Sequence, residues 1–328
     1  MTADDYRLKL DEALVFMKDH ASFLVVSHVQ PDGDAISSTV VTAWLLNELG
    51  KSYTMVNESE LPGRMQYLYQ YEAIHSLKSS PLEGTYDAVI AVDCADFRRI
   101  GQASSYFAAD AKLLNIDHHP TNNGFGAVNV IKPDAAATVE ILYDLILAAG
   151  LKPDLNCATA IYTGLLTDTG GFRYSNTTPR VMQAAADMLA TGVQGSWIAD
   201  QLLEKMSIAK LKLLQSTLGR LQFSDDFTIG WLYITKDDLK DCGAVSEDIE
   251  GIVNYALNID SVEIGILFKE TADGGVKASL RSAGKADVAA IAQKFGGGGH
   301  VRASGCRLEG SLQDTMPKLI SEAGKALV

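Results

Sequence analysis

Asp117-His118-His119 closes an apolar run, Lys112-Leu113-Leu114-Asn115-Ile116. An acid and two imidazoles side by side at the end of a strand-like segment are costly to bury for packing alone. Metal or phosphate chemistry accounts for them better. Four of the six histidines, His28, His118, His119 and His300, sit in polar clusters of this kind. Neighbouring side chains on a regular strand alternate sides, so one histidine of the pair is expected to bind metal and the other to meet substrate. Asp117 is then placed to orient a ring from behind.

Three further clusters carry acids. His28-Val29-Gln30-Pro31-Asp32-Gly33-Asp34 precedes a helix-like segment. An isolated Asp-Gly-Asp reads first as a turn with Asp34 as the helix N-cap. A calcium loop needs further oxygen ligands in series and a closing glutamate, which are missing, and His28 upstream moves the reading toward a transition metal. Asp93 ends another apolar run, where a turn-capping role is the plain alternative; Cys94 beside it reads as packing. Asp168 lies at a helix end, the negative pole of the macrodipole, where a bare carboxylate is disfavoured unless a cation is near. Pooled, Asp32, Asp34, Asp93 and Asp168 with His28 and His118 are too many ligands for one tetrahedral zinc. They suit two cations sharing a carboxylate. Carboxylate-rich sites favour magnesium or manganese, and the imidazoles tilt the expectation to manganese. Paired ions of this kind serve in-line attack at phosphorus.

The last cluster is Gly296-Gly297-Gly298-Gly299-His300-Val301-Arg302. It follows a helix rather than opening one, so it is no dinucleotide fingerprint. A flexible linker is the plain reading, but His300 and Arg302 flank it closely. Consecutive glycines let backbone N–H groups approach an anion or a base edge. Arg281, ending a strand-like run, reads either as a phosphate clamp or as a surface arginine.

The elements that must position these residues follow from periodicity. Ser22–Ser27, Ser52–Asn57, Asp87–Val92 and Lys112–Ile116 read as buried strands. Residues 35–49, 134–149, 155–166 and 180–190 read as helices. This alternation predicts an α/β fold, a mostly parallel sheet with helices on both faces. The His28, Asp93 and Asp117 clusters each follow a strand, where open parallel sheets bind ligands. A helical linker over 192–220 and a smaller C-terminal α/β domain over 221–328 complete the expected organisation, with the first domain over 1–191.

The chain of 328 residues is 47% hydrophobic and 21% charged, as in globular proteins. A net charge of -13 argues against a grip on long nucleic acid. None of the four cysteines forms a C-x-x-C pair, so reduced cysteines in a cytoplasmic protein are expected. No apolar run is long enough to span a membrane.

In their order and spacing these motifs resemble the DHH phosphoesterase superfamily, and the likeness covers nearly the whole chain. The first domain is similar to the DHH catalytic domain through His28-x-x-Pro31-Asp32-x-Asp34, Asp93, Asp117-His118-His119 and Asp168. The second is similar to the superfamily's C-terminal substrate-binding companion through Arg281-Ser282 and Gly297-Gly298-Gly299-His300, with Ser304 where alanine is common. The compact two-domain form resembles the NrnA-type group, which degrades nano-RNA and dephosphorylates pAp (adenosine 3′,5′-bisphosphate). That resemblance implies one metal on His28, Asp32 and Asp93. It implies a second on Asp34, Asp93, His118 and Asp168, with Asp93 bridging. It implies that His119 contacts the scissile phosphate, and that Arg281, Gly297, Gly298, Gly299, His300 and Arg302 hold the rest of a short RNA or small nucleotide, released as 5′-mononucleotides. A homodimer is the one protein partner it leaves open. A manganese pyrophosphatase of the superfamily shares the first-domain motifs but carries a basic Arg-Lys cluster in place of the glycine run. A regulator that had lost catalysis would lack a ligand, and all six are present.

Overall fold

The computed structural model describes residues 2–327 and divides into two compact units, Met1–Lys205 and Met206–Val328. The segment 192–220, expected as a linker, is shared between them. In the first unit the strands are β1 (Ser22–Val26), β2 (Ser52–Asn57), β3 (Ile74–Ser76), β4 (Tyr86–Val92), β5 (Phe107–Asp117) and β6 (Val128–Ile131). They form one sheet in the order β3-β2-β1-β4-β5-β6, parallel throughout. The helices are α1 (Ala3–Asp19), α2 (Gly33–Glu48), α3 (Thr138–Ala148), α4 (Leu155–Asp168), α5 (Pro179–Ala190) and α6 (Gly195–Ala199). The two edge strands β3 and β6 were not anticipated. β3 is three residues long, and β6 follows a turn-rich segment that offers no alternation to read.

The sheet has two unequal covers. Phe23, Val25, Ile90, Val92, Leu114 and Ile116 face the α-helical side. Leu24, Val26, Val89, Ala91 and Leu113 face a thinner layer built on the 3₁₀ segment Phe97–Tyr106. Strands buried on both faces are apolar at successive positions, which is why these runs do not alternate. α2 is buried along nearly its whole length, from Gly33 to Leu46. Its small residues allow this. A Cβ on Gly33 would collide with the Thr167 side chain of α4, and one on Gly164 would lie 2.7 Å from Asp34 Oδ1. The glycines therefore set the close α2–α4 crossing that brings Asp34 and Asp168 to the same end of the sheet.

Two sequence expectations move. Asp32, not Asp34, caps α2, accepting from the Ala35 N–H at 3.1 Å. The helix expected from residue 134 begins at Thr138. Residues 135–137 turn instead, which exposes the first N–H groups of α3 to the site, as described below.

The second unit holds α7 (Ile208–Leu218), α8 (Lys236–Cys242), α9 (Ile252–Leu257), α10 (Val288–Gln293) and α11 (Leu312–Lys325). Its strands are β7 (Gln222–Phe223), β8 (Ile229–Ile234), β9 (Ile264–Glu270), β10 (Val276–Ser282), β11 (Gly298–His300) and β12 (Ala303–Leu308), in the order β11-β12-β10-β9-β8-β7. Only β8 and β9 pair in parallel. α10 and α11 cover one face and α7 and α9 the other. Part of the glycine run is thus itself an edge strand, because a Cβ on Gly299 (φ +140°) would meet Ala303 O at 2.6 Å and Ser304 Cα at 2.7 Å.

Candidate active site

Three strand ends and one helix end converge in the first unit. β1 leads into His28 and Asp32, β4 into Asp93, β5 into Asp117, His118 and His119, and α4 ends on Asp168. Asp93 sits at the centre. Its Oδ2 lies 3.5 Å from His28 Nε2, and its Oδ1 lies 3.6 Å from His118 Nε2 and 3.6 Å from His119 Nδ1. His118 Nε2 also lies 3.3 Å from Asp168 Oδ2, and His28 Nε2 lies 3.9 Å from Asp32 Oδ2. Donor atoms of His28, Asp32 and Asp93 fall within 4.8 Å of one another, as do those of Asp34, Asp93 and His118. The two triads share Asp93.

The surrounding chain fixes each donor. Thr138 N and Val139 N, the first N–H groups of α3, donate to Asp34 at 2.6 and 3.2 Å. The Thr138 hydroxyl donates to Asp93 Oδ1 at 2.9 Å. His28 Nδ1 donates to Val29 O at 2.9 Å and His118 Nδ1 to Ala135 O at 3.3 Å. With Nδ1 bonded to a backbone carbonyl, each ring turns its Nε2 toward the carboxylates, the arrangement metal-ligating histidines use. Asp117 accepts from His119 Nδ1 at 2.8 Å and from Asn122 Nδ2 at 2.6 Å. Asn122 also reaches Cys94 O at 2.9 Å, which ties the loop after β5 to the loop after β4.

The carboxylates of the cluster repel one another. Burial, then the charges of Asp93 and Asp32, push the Asp34 carboxyl well above the usual range. Burial, then Asp34, Asp32 and Asp93, do the same to Asp168. Burial also pushes Asp93 upward, but the His28 hydrogen bond and the charges of His119, His28 and His118 outweigh it and hold that carboxyl low. Burial lowers His119, but its bond to Asp117 and the Asp93 charge override this and raise the ring to about 9. Buried carboxylates that repel one another are relieved by positive charge. Carboxylate oxygens with outward-braced imidazole nitrogens are a donor set that divalent cations fit.

Every first-domain residue singled out in the sequence lies in this cluster. Thr138 and Asn122 had no assigned role. Thr138 is marked only as a polar residue after three alanines, and Asn122 only as a loop asparagine. In the second unit Arg281 pairs with Ala303 across β10 and β12, and its Nη1 donates to Leu280 O at 3.0 Å. Gly298, Gly299 and His300 pair with Gly305, Ser304 and Ala303, Gly297 precedes them, and Arg302 O accepts from Ser282 N at 3.0 Å. The expected substrate-binding residues therefore share one end of that sheet.

Residues 22–165 match the DHH family, N-terminal domain, and residues 237–328 match the DHHA1 domain. A bifunctional oligoribonuclease and PAP phosphatase NrnA of Thermus thermophilus is 34% identical over 303 residues, 91% of this chain and 88% of that protein. A protein of the same description from Bacillus subtilis is 26% identical over 285 residues, covering 86% and 87%. Among solved structures, an exopolyphosphatase-related protein from Bacteroides fragilis aligns with a TM-score of 0.85 at 26% identity, over 98% of this chain and 95% of that one. The chain belongs to the DHH family, whose members are divalent-metal-dependent phosphoesterases. Among the described residues no helix is long and apolar enough to cross a membrane.

Proposed function

We propose that the chain hydrolyses short oligoribonucleotides and adenosine 3′,5′-bisphosphate to 5′-mononucleotides, with two divalent cations, manganese before magnesium. The observation that carries this reading is the Asp93 carboxylate, which offers one oxygen toward each of two donor triads. Its support in substrate class is the shared description of the Thermus and Bacillus relatives, aligned over most of both chains.

His28, Asp32 and Asp93 would hold one cation, and Asp34, Asp93, His118 and Asp168 the other. When bound, the pair supplies neutralisation of phosphate charge and activation of water for in-line attack. The chain's own groups do the rest. Thr138 and the first N–H groups of α3 hold Asp93 and Asp34 through hydrogen bonds. Asp117 holds the His119 ring, which contacts the scissile phosphate and stabilises charge developing on its oxygen. The leaving group is a ribose 3′-oxygen in RNA and in the bisphosphate alike. Arg281, Gly297, Gly298, Gly299, His300 and Arg302 supply a nucleotide-binding surface in the second unit.

Incubation with adenosine 3′,5′-bisphosphate, dinucleotide RNA, pApA and pyrophosphate in manganese, followed by chromatography, tests the reading. AMP from the bisphosphate and from pApA, and a 5′-mononucleotide from the dinucleotide RNA, are expected. Turnover of pyrophosphate alone would replace the reading with a pyrophosphatase.

A further inference from the structure

We propose that Lys269, Lys277 and Arg307 form a phosphate-binding row on the sheet of the second unit, which holds the far backbone of an oligoribonucleotide and so favours the longer of its short substrates. This rests on the phosphoesterase reading above and adds to it a preference among RNA lengths. Strand register carries it. Lys277 on β10 lies directly opposite Lys269 on β9 and directly opposite Arg307 on β12. Opposed residues share a face, so three cations stand side by side across three strands. Ile234 on β8, beside Lys269, ends the row. Lys277 and Arg307 are exposed and Lys269 is half-buried. Asp273, in the turn between β9 and β10, pairs with Arg307, the outer member. Burial and then the charge of Lys277 hold the Lys269 ammonium below the usual lysine range. Like charges in direct opposition weaken a sheet, a cost that a bound anion reverses.

The row shares its face with the residues expected to bind nucleotide. Side chains two and four positions apart on a strand point the same way, so Lys277, Ser279 and Arg281 line up along β10. Arg281 lies opposite Ala303, and Ala303 opposite His300. One end of the face therefore carries Arg281 and His300, and the other carries the cations, about 13 Å along the strands. Between the two ends Ser279, Gly305 and Gly298 stand in direct register. That strip has no side chain larger than a hydroxymethyl, and glycine on a strand lets a ligand approach the backbone closely. The apolar cluster under α7 and α9 takes its strand residues from β8 and β9 alone, so the strip lies outside it. A stacked single strand rises about 3.4 Å per nucleotide, so the span takes up to about four nucleotides. In a chain of net charge -13, three aligned cations are a local exception. An RNA of several phosphates reaches from Arg281 to the row; a bisphosphate held at Arg281 stops short of it.

The test compares the wild-type chain with the double variant Lys269→Ala/Lys277→Ala, with Lys277→Glu and, as a control, with Lys152→Ala, an exposed lysine of the first unit. Turnover in manganese is measured on adenosine 3′,5′-bisphosphate, dinucleotide RNA and pentanucleotide RNA. Binding of a fluorescent pentanucleotide is followed by anisotropy at several salt concentrations, with chelator present so that the probe is not consumed. The double variant should lose about 10-fold in kcat/KM on the pentanucleotide, through KM, and Lys277→Glu more. Both should stay within about 2-fold of wild type on the bisphosphate and the dinucleotide, and Lys152→Ala on all three. The slope of log affinity against log salt should fall by about 0.7 for each phosphate contact removed. Melting temperatures should hold or rise, because opposed like charges have been removed. Pentanucleotide turnover and binding within about 2-fold of wild type in both variants would overturn the proposal. So would an equal loss on all three substrates, since the lysines would then act through the fold. A wild type inactive on every substrate, with pentanucleotide binding still weakened by Lys277→Glu, would retire the hydrolytic reading and leave the row assigned to RNA.

Discussion

The Thr138 hydroxyl donates to Asp93 Oδ1 over 2.9 Å, so a residue at the start of one helix braces a carboxylate at the end of a strand 45 residues earlier. Outer hydrogen-bond partners of this type tune metal affinity by about 10- to 100-fold. Thr138→Val should weaken manganese binding by that factor and lower kcat/KM with it. Thr138→Ser should keep both. Calorimetric titration of manganese into the chelator-stripped protein measures the difference.

Asp168 is part-buried and carries the repulsion of four neighbouring carboxylates, Asp34, Asp32, Asp93 and Asp117. Asp168→Asn removes that repulsion while keeping the shape of the side chain. In excess chelator the variant should melt a few degrees above wild type, roughly 1 kcal/mol of relief. With manganese the order should reverse, because ligand binding stabilises only the protein that binds. Hydrolysis should fall to background. Differential scanning calorimetry with and without metal reads both effects; a variant less stable than wild type in chelator would show that the repulsion is already relieved in the metal-free chain.

His119 is raised to about 9 in the folded chain by Asp117 and Asp93. A raised imidazole contributes stability that is complete below its unfolded value, near 6.5, and is lost as pH rises through the folded value. Metal-free protein should therefore lose stability between about pH 6.5 and 9. His119→Gln should flatten the profile there. Urea midpoints in chelator, taken across that range, test the sign.

In the second unit Arg220 forks onto Asp238, Nη1 to Oδ2 at 2.5 Å and Nη2 to Oδ1 at 2.9 Å. Asp238 also accepts from Thr235 N at 2.7 Å and Ser216 Oγ at 2.9 Å. Burial raises this carboxyl, but Arg220, Thr235 and Ser216 outweigh burial and leave it depressed. Arg220→Leu leaves the acid without its cation and should cost about 1–3 kcal/mol at neutral pH. A depressed carboxyl gives stability above its unfolded value, near 3.9, that fades as pH falls. The gap between variant and wild type should therefore narrow below about pH 4. A gap that stayed constant down to pH 2 would mean that the pair contributes nothing beyond packing.

The strands that carry the chemistry could be read from the sequence because they are buried on both faces and end on acids. Ser52–Asn57 has the bounds expected of it, and β1 and β4 differ by a single residue. What could not be read is what depends on distant partners. Ala135-Ala136-Ala137 has high helix propensity, yet tertiary contacts hold it in a turn. Ala135 O is needed by His118, Ala136 N donates to Glu140, and the N–H groups behind it are needed by Asp34. α8 and α9 are only 7 and 6 residues long, too short for a periodic stripe to show.

Asp93 has a left-handed backbone, φ +57°. Among residues with a side chain, asparagine and aspartate tolerate that conformation best, and alanine must strain to adopt it. Two demands therefore fall on one position, a charge to share and a bend that turns the chain out of β4. An alanine there removes both together, and its inactivity would not say which was missed. Asparagine keeps the bend and deletes only the charge, so the pair of variants separates architecture from electrostatics at the centre of the site.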